Sequence, residues 1–188
     1  MNIILASKSP RRRELLEMLG VRDLKIIPAD GDETQPDLPP GDTVCAIALE
    51  KARAVANMCK ADDVIIGADT LVYLDGEALG KPRDEAEAAA MLRRLSGREH
   101  TVFTGVAIIK GSECISQAEA TEVFFRDLTA AEIAGYISTG ESMDKAGAYA
   151  AQGRGAVFIR RIEGDFFNVM GLPLCLLSEM LKSLGVAI

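Results

Sequence analysis

The sequence Val64-Ile65-Ile66-Gly67-Ala68-Asp69-Thr70 is the most informative segment for the fold. Its first five residues form a short apolar run, which is typical of a strand buried inside an α/β sheet. We expect this strand to cover Asp63–Ala68 and to end at Asp69. In open α/β sheets ligands bind beyond the carboxyl ends of the strands, so Asp69 is a candidate for binding Mg²⁺ or for taking a proton from water. The alternative is an Asx turn that leads into the next strand.

Strand and helix patterns alternate on both sides of this stretch. The early alternation and a long hairpin later in the chain predict a mixed α/β fold, with residues 1–188 as a single domain and a cleft between two lobes. The predicted helices are Pro10–Gly20, Thr43–Lys60, Asp84–Leu95, Thr129–Ser138 and Leu172–Leu184. The other predicted strands are Asn2–Ala6, Leu24–Pro28, Leu71–Leu74, the hairpin His100–Lys110 with Glu113–Phe125, and the hairpin Ala156–Ile162 with Phe166–Val169.

Composition excludes several classes of protein. The chain has 188 residues, of which 48% are hydrophobic and 26% charged, as in ordinary globular domains. Its apolar runs are much shorter than the roughly 20 residues that span a bilayer, and no secretory signal precedes them, so we expect a cytoplasmic protein without a membrane partner. The four cysteines have no metal or redox spacing, and the only histidine, His100, falls in a predicted strand, where we expect a structural role.

The net charge of −7 argues against a long nucleic acid as partner, because phosphate neutralisation dominates such binding. A local basic cluster nevertheless stands out in Ser7-Lys8-Ser9-Pro10-Arg11-Arg12-Arg13. Three arginines in the first turn of a helix oppose the macrodipole, which favours negative charge there. A phosphate would remove the mismatch by accepting hydrogen bonds from backbone N–H groups, serine hydroxyls and guanidinium groups. The alternative is a solvated basic turn paired with Glu14 or Glu17.

Lys51 is the second charged residue in an unusual place. By the three-and-four spacing it falls on the apolar face of the helix Thr43–Lys60. A lysine there must extend its amine to water, pair with a carboxylate or contact a ligand.

Three further positions add chemistry. Lys81 stands before a predicted helix and is held extended by the proline that follows it. Glu33 adds a carboxylate in a Pro-rich loop, and Gln152 adds an amide that both donates and accepts in a Gly-rich stretch. Basic groups, carboxylates and an amide, without a nucleophile beside a histidine, favour metal-assisted attack of water on a nucleotide phosphate.

These motifs together resemble the Maf family of nucleoside triphosphate pyrophosphatases, which were once described as septum-formation inhibitors. The resemblance runs in family order over nearly the whole chain, and the joint match is highly specific. The matching blocks are Leu5-Ala6-Ser7-Lys8-Ser9-Pro10-Arg11-Arg12, Asp32-Glu33, Glu50-Lys51-Ala52, Gly67-Ala68-Asp69-Thr70, Gly80-Lys81-Pro82-Arg83, Asp144-Lys145-Ala146-Gly147-Ala148-Tyr149 and Val169-Met170-Gly171-Leu172-Pro173.

The resemblance implies a fold like that of inosine triphosphate pyrophosphatases, with an elongated mixed sheet flanked by helices. It implies conversion of a nucleoside triphosphate to the monophosphate and pyrophosphate with Mg²⁺ or Mn²⁺, and it suggests a homodimer. The resemblance implies that Asp69 activates the attacking water and that Glu33 and Asp69 bind the metal. The residues that would face the phosphates are Ser7, Ser9, Arg11, Arg12, Lys51 and Lys81.

Three positions separate branches of the family. The branch that acts on dTTP and UTP is similar to this chain in having Arg11, Thr70 and Gln152. The 7-methyl-GTP branch has an aromatic residue after the proline, Gln after the aspartate and Glu in the late loop. The resemblance therefore implies hydrolysis of dTTP, UTP and modified pyrimidine nucleotides.

Two other classes of function remain open at this point. One is a nucleotide-binding regulator of cell division that acts through a protein partner, and an inactive Asp69 variant would distinguish it from an enzyme. The other is a nucleic-acid binder, which the net charge and the lack of an aromatic stacking stripe disfavour.

Overall fold

The computed structural model describes residues 1–29 and 36–188. The described residues form a seven-stranded mixed sheet in the order β2-β1-β3-β5-β6-β7, with β4 paired to β3. The strands are β1 (Ile3–Leu5), β2 (Lys25–Ile26), β3 (Val64–Leu74), β4 (Glu77–Leu79), β5 (Glu99–Lys110), β6 (Glu113–Phe125) and β7 (Ile159–Glu163). The helices are α1 (Pro10–Met18), α2 (Pro40–Ala56), α3 (Glu85–Leu95), α4 (Ala130–Ile137), α5 (Phe166–Met170) and α6 (Leu174–Ser183).

The chain divides into two compact units. The first comprises Met1–Asp69, Thr104–Glu119 and Gly171–Ile188. In it, β1 runs parallel to both β2 and β3, and its core includes Ile4, Val55 and Ile65. No helix within residues 1–29 and 36–188 is long and apolar enough to cross a membrane.

The second unit comprises Thr70–Phe103 and Ala120–Met170. Antiparallel pairing dominates it, because β3 pairs with β4 and β6 pairs with β7 in that sense. Its core combines aliphatic residues of α3 and α4 with the aromatic side chains Phe125, Tyr149 and Phe158.

Helix α2 packs against the sheet at two glycines of the first unit. A Cβ on Gly67 of β3 would lie 2.1 Å from the Ala48 carbonyl oxygen, and one on Gly105 of β5 would lie 2.3 Å from the Val44 carbonyl oxygen. Real Cβ atoms do not approach backbone so closely, so only glycine allows this contact. The helix therefore crosses the sheet at a distance that side chains would prevent.

Local capping signals predicted two helix starts correctly. The Asp84 carboxylate accepts a hydrogen bond from the Glu87 backbone N–H at 2.8 Å and caps α3. Thr129 and Glu132 form the predicted capping box at the start of α4. Helix α2 begins and ends a few residues earlier than the predicted Thr43–Lys60.

The prediction that a strand ends at Asp69 is wrong. Strand β3 continues without interruption from Val64 to Leu74, so Asp69 lies inside it and makes no turn. The residues after Thr70 explain the difference, since Leu71 and Val72 are buried and Val72 pairs with Leu79 of β4. Burial and strand pairing outweigh the low strand propensity of a single aspartate.

The second predicted hairpin is also wrong. Strand β7 pairs with β6, and Phe166–Met170 forms the short helix α5. The Asp165 carboxylate accepts a hydrogen bond from the Phe167 N–H at 2.7 Å, as an N-cap residue does. This cap favours a helix where the apolar residues alone favour a strand.

Candidate active site

The most informative contact in the first unit is an ion pair between Lys51 and Asp69. The lysine Nζ lies 2.7 Å from Asp69 Oδ1, and the two side chains are only 15% and 14% exposed. Of the three outcomes expected for a lysine on the apolar face of α2, the structure shows the pairing with a carboxylate. Removing two charges from water costs free energy unless they form a well-oriented hydrogen bond, as the 2.7 Å contact does here.

The close approach of α2 to β3 explains how this pair forms. Gly67 and Asp69 are two residues apart in a strand, so they point to the same face of the sheet. The Ala48 backbone packs directly against Gly67, and Lys51 lies about one helical turn further along α2. The glycine contact thus sets the distance at which the amine and the carboxylate meet.

The basic turn after β1 begins beside the same part of β3. The Ala6 N–H donates to the Ile66 carbonyl oxygen at 2.8 Å, three residues before Asp69. Ser7 follows directly, and its hydroxyl oxygen accepts hydrogen bonds from the Ser9 N–H and from Arg12 Nη1, both at 3.2 Å. A serine oxygen has two acceptor sites and one O–H donor, so these two bonds leave the Ser7 O–H able to donate to an anion.

The three arginines of α1 have different surroundings. Arg12 Nε donates to the Gly171 carbonyl oxygen at 2.8 Å, which ties the first turn of α1 to the segment before α6. Exposed Arg13 pairs with Glu17 at 2.7 Å, so the solvated alternative holds for this arginine. Half-buried Arg11 has no hydrogen-bond or ion-pair partner among the residues that the structure describes.

Sequence reasoning gave Gly171 no role as a partner of Arg12. The two residues are 159 positions apart, and a glycine carbonyl carries no signal in a sequence. Ser9 has a second role that the sequence reasoning did not assign to it, since its side chain caps α1 by accepting from the Arg12 N–H at 3.5 Å.

The second unit holds three of the predicted site residues. Thr70 is half-buried and follows Asp69 in β3, so its side chain points to the opposite face of the sheet. Lys81 is exposed and follows Gly80, whose carbonyl oxygen accepts a hydrogen bond from the Gly147 N–H at 3.1 Å. Gln152 is exposed in the loop before the 3-10 turn Arg154–Phe158.

His100 lies in β5, as predicted, and is buried with 2% exposure. Its Nε2 shares a hydrogen bond with the Tyr149 hydroxyl at 2.8 Å, and its ring packs edge-on against Phe125. Burial lowers the pKa of His100 to about 4, so the ring is neutral at physiological pH. These contacts fit the structural role expected of it.

The predicted metal ligands can be examined in part. Glu33 lies outside the described residues. Asp69 offers Oδ2, a hard oxygen of the kind that Mg²⁺ and Mn²⁺ prefer, while Lys51 holds Oδ1. Residues 1–29 and 36–188 contain no group of three His, Cys, Asp or Glu side chains arranged to hold a metal. Mg²⁺ commonly binds through one or two carboxylates together with substrate phosphates, so Asp69 fits such an ion.

The fold and this geometry define a class: an α/β protein with a lysine-paired aspartate in a central strand and a basic turn at the end of the neighbouring strand. The chain belongs to the family of Maf-like proteins, whose model matches residues 2–184. The family resemblance seen in the sequence is therefore confirmed.

Several curated relatives match over nearly their full length. A dTTP/UTP pyrophosphatase of Pelotomaculum thermopropionicum is 52% identical, covering 97% of this chain and 96% of the relative. Proteins of the same name from Moorella thermoacetica and from a Geobacillus species are 52% and 50% identical, with coverage of 98% and 97% of this chain and 95% and 98% of the relatives.

A solved structure supports the fold assignment. The Ham1 protein of Staphylococcus aureus has a TM-score of 0.54 and 14% identity, covering 97% of this chain and 99% of that chain. At this identity the likeness concerns the fold alone. It confirms the predicted fold class, a mixed α/β sheet flanked by helices.

Proposed function

We propose that this chain hydrolyses dTTP and UTP to the monophosphate and pyrophosphate. Relatives that are about half identical over nearly the whole chain bear the name dTTP/UTP pyrophosphatase. The structural observation that carries the proposal is the Lys51–Asp69 pair, which joins α2 to β3 close to where β1 leads into the Ser7 turn.

Asp69 acts as the general base in this proposal. Lys51 holds Oδ1 and fixes the carboxylate, which leaves Oδ2 to accept a proton from the attacking water. The water oxygen then bonds to phosphorus, the anhydride bond between the α- and β-phosphates breaks, and pyrophosphate leaves. Asp69 passes its proton to solvent and is ready for another turnover.

The start of α1 binds phosphate oxygens in the proposal. Its first turn has no acidic residue, and its N-terminus carries the positive end of the helix dipole. The Ser7 hydroxyl supplies an O–H donor, and Ser9, Arg11 and Arg12 stand in the same turn. Lys51 and Lys81 are assigned to the phosphates by the family resemblance.

A divalent cation, Mg²⁺ or Mn²⁺, would be held by Asp69 together with Glu33. When bound, such an ion neutralises phosphate charge and polarises the phosphorus centre. A carboxylate oxygen has two acceptor sites, so Oδ2 could hold such an ion and still accept a hydrogen bond from the attacking water, while Lys51 orients Oδ1.

Arg11, Thr70 and Gln152 are the proposed determinants of substrate choice. The amide of Gln152 both donates and accepts, which matches the mixed edge of a pyrimidine base, whereas a carboxylate suits the donor edge of guanine. Its exposure leaves it accessible to a ligand.

The experiment is a panel of nucleoside triphosphates incubated with Mg²⁺, with products separated by chromatography. Pyrophosphate and monophosphate from dTTP and UTP, with little from purine nucleotides, are the expected result. Release of orthophosphate and a diphosphate would contradict the reaction. Activity confined to guanine nucleotides would contradict the roles of Arg11, Thr70 and Gln152.

The single domain, the homodimer and the cytoplasmic location stay predictions. The regulatory alternative makes a separate prediction, namely that an inactive Asp69 variant retains a cell-division phenotype. Loss of that phenotype together with hydrolysis would favour the enzyme.

A further inference from the structure

The backbone of the loop that carries Gln152 donates hydrogen bonds, on both sides of that residue, to two side chains of the second unit, Tyr136 and Glu141. The Tyr136 hydroxyl oxygen accepts a hydrogen bond from the Ala150 N–H at 3.1 Å. The same hydroxyl donates to Glu141 Oε1 at 3.1 Å. Neither residue belongs to the motifs that identify the family in the sequence.

Glu141 holds the other side of the loop. Its Oε2 accepts a hydrogen bond from the Arg154 N–H at 3.2 Å, and its Oε1 accepts one from the Gly155 N–H at 3.3 Å. Hydrogen bonds from backbone N–H groups to an ionised carboxylate are about twice as strong as neutral ones. Tyr136 and Glu141 thus hold the loop on both sides of Gln152, at Ala150 before it and at Arg154 and Gly155 after it. We call these two side chains and their hydrogen bonds to the loop the bracket.

The bracket is sterically tight. Gly153 has φ +108°, a value that favours glycine, and a Cβ there would lie 2.8 Å from Glu141 Oε1. A Cβ on Gly155 would lie 2.6 Å from the Ala150 carbonyl oxygen, so the two ends of the loop are in contact. The loop has little room to rearrange while Glu141 is in place.

Tyr136 is itself held firmly. It is 4% exposed, and its ring packs edge-on against Phe158 with centroids 5.0 Å apart. Burial raises the pKa of Tyr136, so its hydroxyl stays protonated and donates to Glu141. The bracket is therefore anchored in the aromatic core of the second unit.

We propose that Tyr136 and Glu141 are positioning residues that set the nucleobase selectivity by fixing the loop around Gln152. The inference rests on the proposed role of Gln152. A recognition group held by a rigid loop discriminates between bases because the wrong base leaves its amide unpaired, whereas a mobile loop adjusts to either base.

The test compares kcat/KM for dTTP with kcat/KM for dGTP in four proteins: wild type, Glu141→Ala, Gln152→Ala and the double variant. Glu141→Ala should lower the dTTP/dGTP ratio by about tenfold, chiefly through a higher KM for dTTP, because it misplaces the loop and leaves the reacting groups in place. In the Gln152→Ala background the same substitution should leave the ratio unchanged.

Glu141→Gln and Tyr136→Phe are milder companions. The glutamine keeps an acceptor for the backbone N–H groups and should retain more selectivity than alanine. Glu132→Ala is the matched control, because Glu132 lies in α4, caps that helix and pairs with Arg126. It should lower Tm without changing the dTTP/dGTP ratio.

The outcomes separate the two proposals. If Gln152→Ala leaves selectivity intact, the role of Gln152 is wrong and the bracket has nothing to position. If Gln152→Ala lowers selectivity and none of the Glu141 and Tyr136 variants does, the bracket is merely structural. Equal loss of kcat on both nucleotides in Glu141→Ala, or an undiminished effect in the Gln152→Ala background, would also overturn the inference.

Discussion

Replacing Gly67 by alanine tests how the fold brings Lys51 to Asp69. The new Cβ would lie 2.1 Å from the Ala48 carbonyl oxygen and 3.0 Å from the Ala52 nitrogen. Both are backbone atoms of α2, so no side-chain rotation relieves the contact. Favourable carbon–oxygen contacts are about 3.3 Å or longer, so α2 and β3 must separate by about 1 Å.

Two effects follow from that separation. Overpacking of a well-packed interior costs about 1–3 kcal/mol, which for a chain of this size lowers Tm by roughly 6 °C. Because Lys51 moves with α2, its hold on Asp69 loosens, and a misplacement of about 1 Å costs up to about 100-fold in rate. We expect both a lower Tm and a lower kcat.

Thermal unfolding followed by circular dichroism and pyrophosphate release from dTTP measure the two effects. Gly135→Ala is the control, because a Cβ at this helical position meets nothing within 4 Å. Alanine there should stabilise the protein by up to about 1 kcal/mol and leave kcat unchanged. Wild-type Tm and kcat in Gly67→Ala would refute the argument that this glycine sets the Lys51–Asp69 distance.

Two further predictions concern charge. Lys51→Met keeps most of the side-chain volume but leaves Asp69 unpaired with 14% exposure, so we expect a loss of about 2 kcal/mol in urea unfolding and a fall in kcat. The fall should vanish in an Asp69→Asn background, and unchanged kcat in Lys51→Met alone would contradict the role of the pair. His100 has its pKa lowered by burial to about 4, so the unfolded chain takes up its proton first as pH falls below about 6.5. The free energy of unfolding should therefore fall by about 2 kcal/mol between pH 7 and pH 5, and His100→Phe should abolish most of that slope.

Capping residues in the sequence predicted where two helices start, because each cap is a contact between near neighbours in the chain. Asp84 and Thr129 cap the helices that follow them, and each cap involves residues only three positions apart. The same reasoning missed that β3 continues through Asp69 and Thr70, because the burial of Leu71 and Val72 depends on packing that a local pattern does not show. It missed α5 because one cap at Asp165 outweighs an apolar pattern that fits either structure.

The candidate site shows the same division. Helical spacing predicted that Lys51 needs a partner, but the choice of Asp69 depends on where α2 crosses β3. Charge in the first turn of α1 identified the basic turn, while the partner of Arg12 comes from a segment near the end of the chain. The bracket around Gln152 joins residues 13 or 14 positions apart through side chain to backbone contacts, which leave no pattern in a sequence.

The most direct test of the account is the Asp69→Asn variant. The amide has nearly the same shape as the carboxylate but cannot accept the proton of water. Pyrophosphate release from dTTP should fall by about 1000-fold, within the range known for loss of a general base. The Lys51 ammonium, which is 15% exposed, then faces a neutral amide, so Tm should fall about as far as in Lys51→Met, while the folded variant still binds nucleotide in calorimetry. Turnover within tenfold of wild type would contradict the central claim that Asp69, held by Lys51, activates the water.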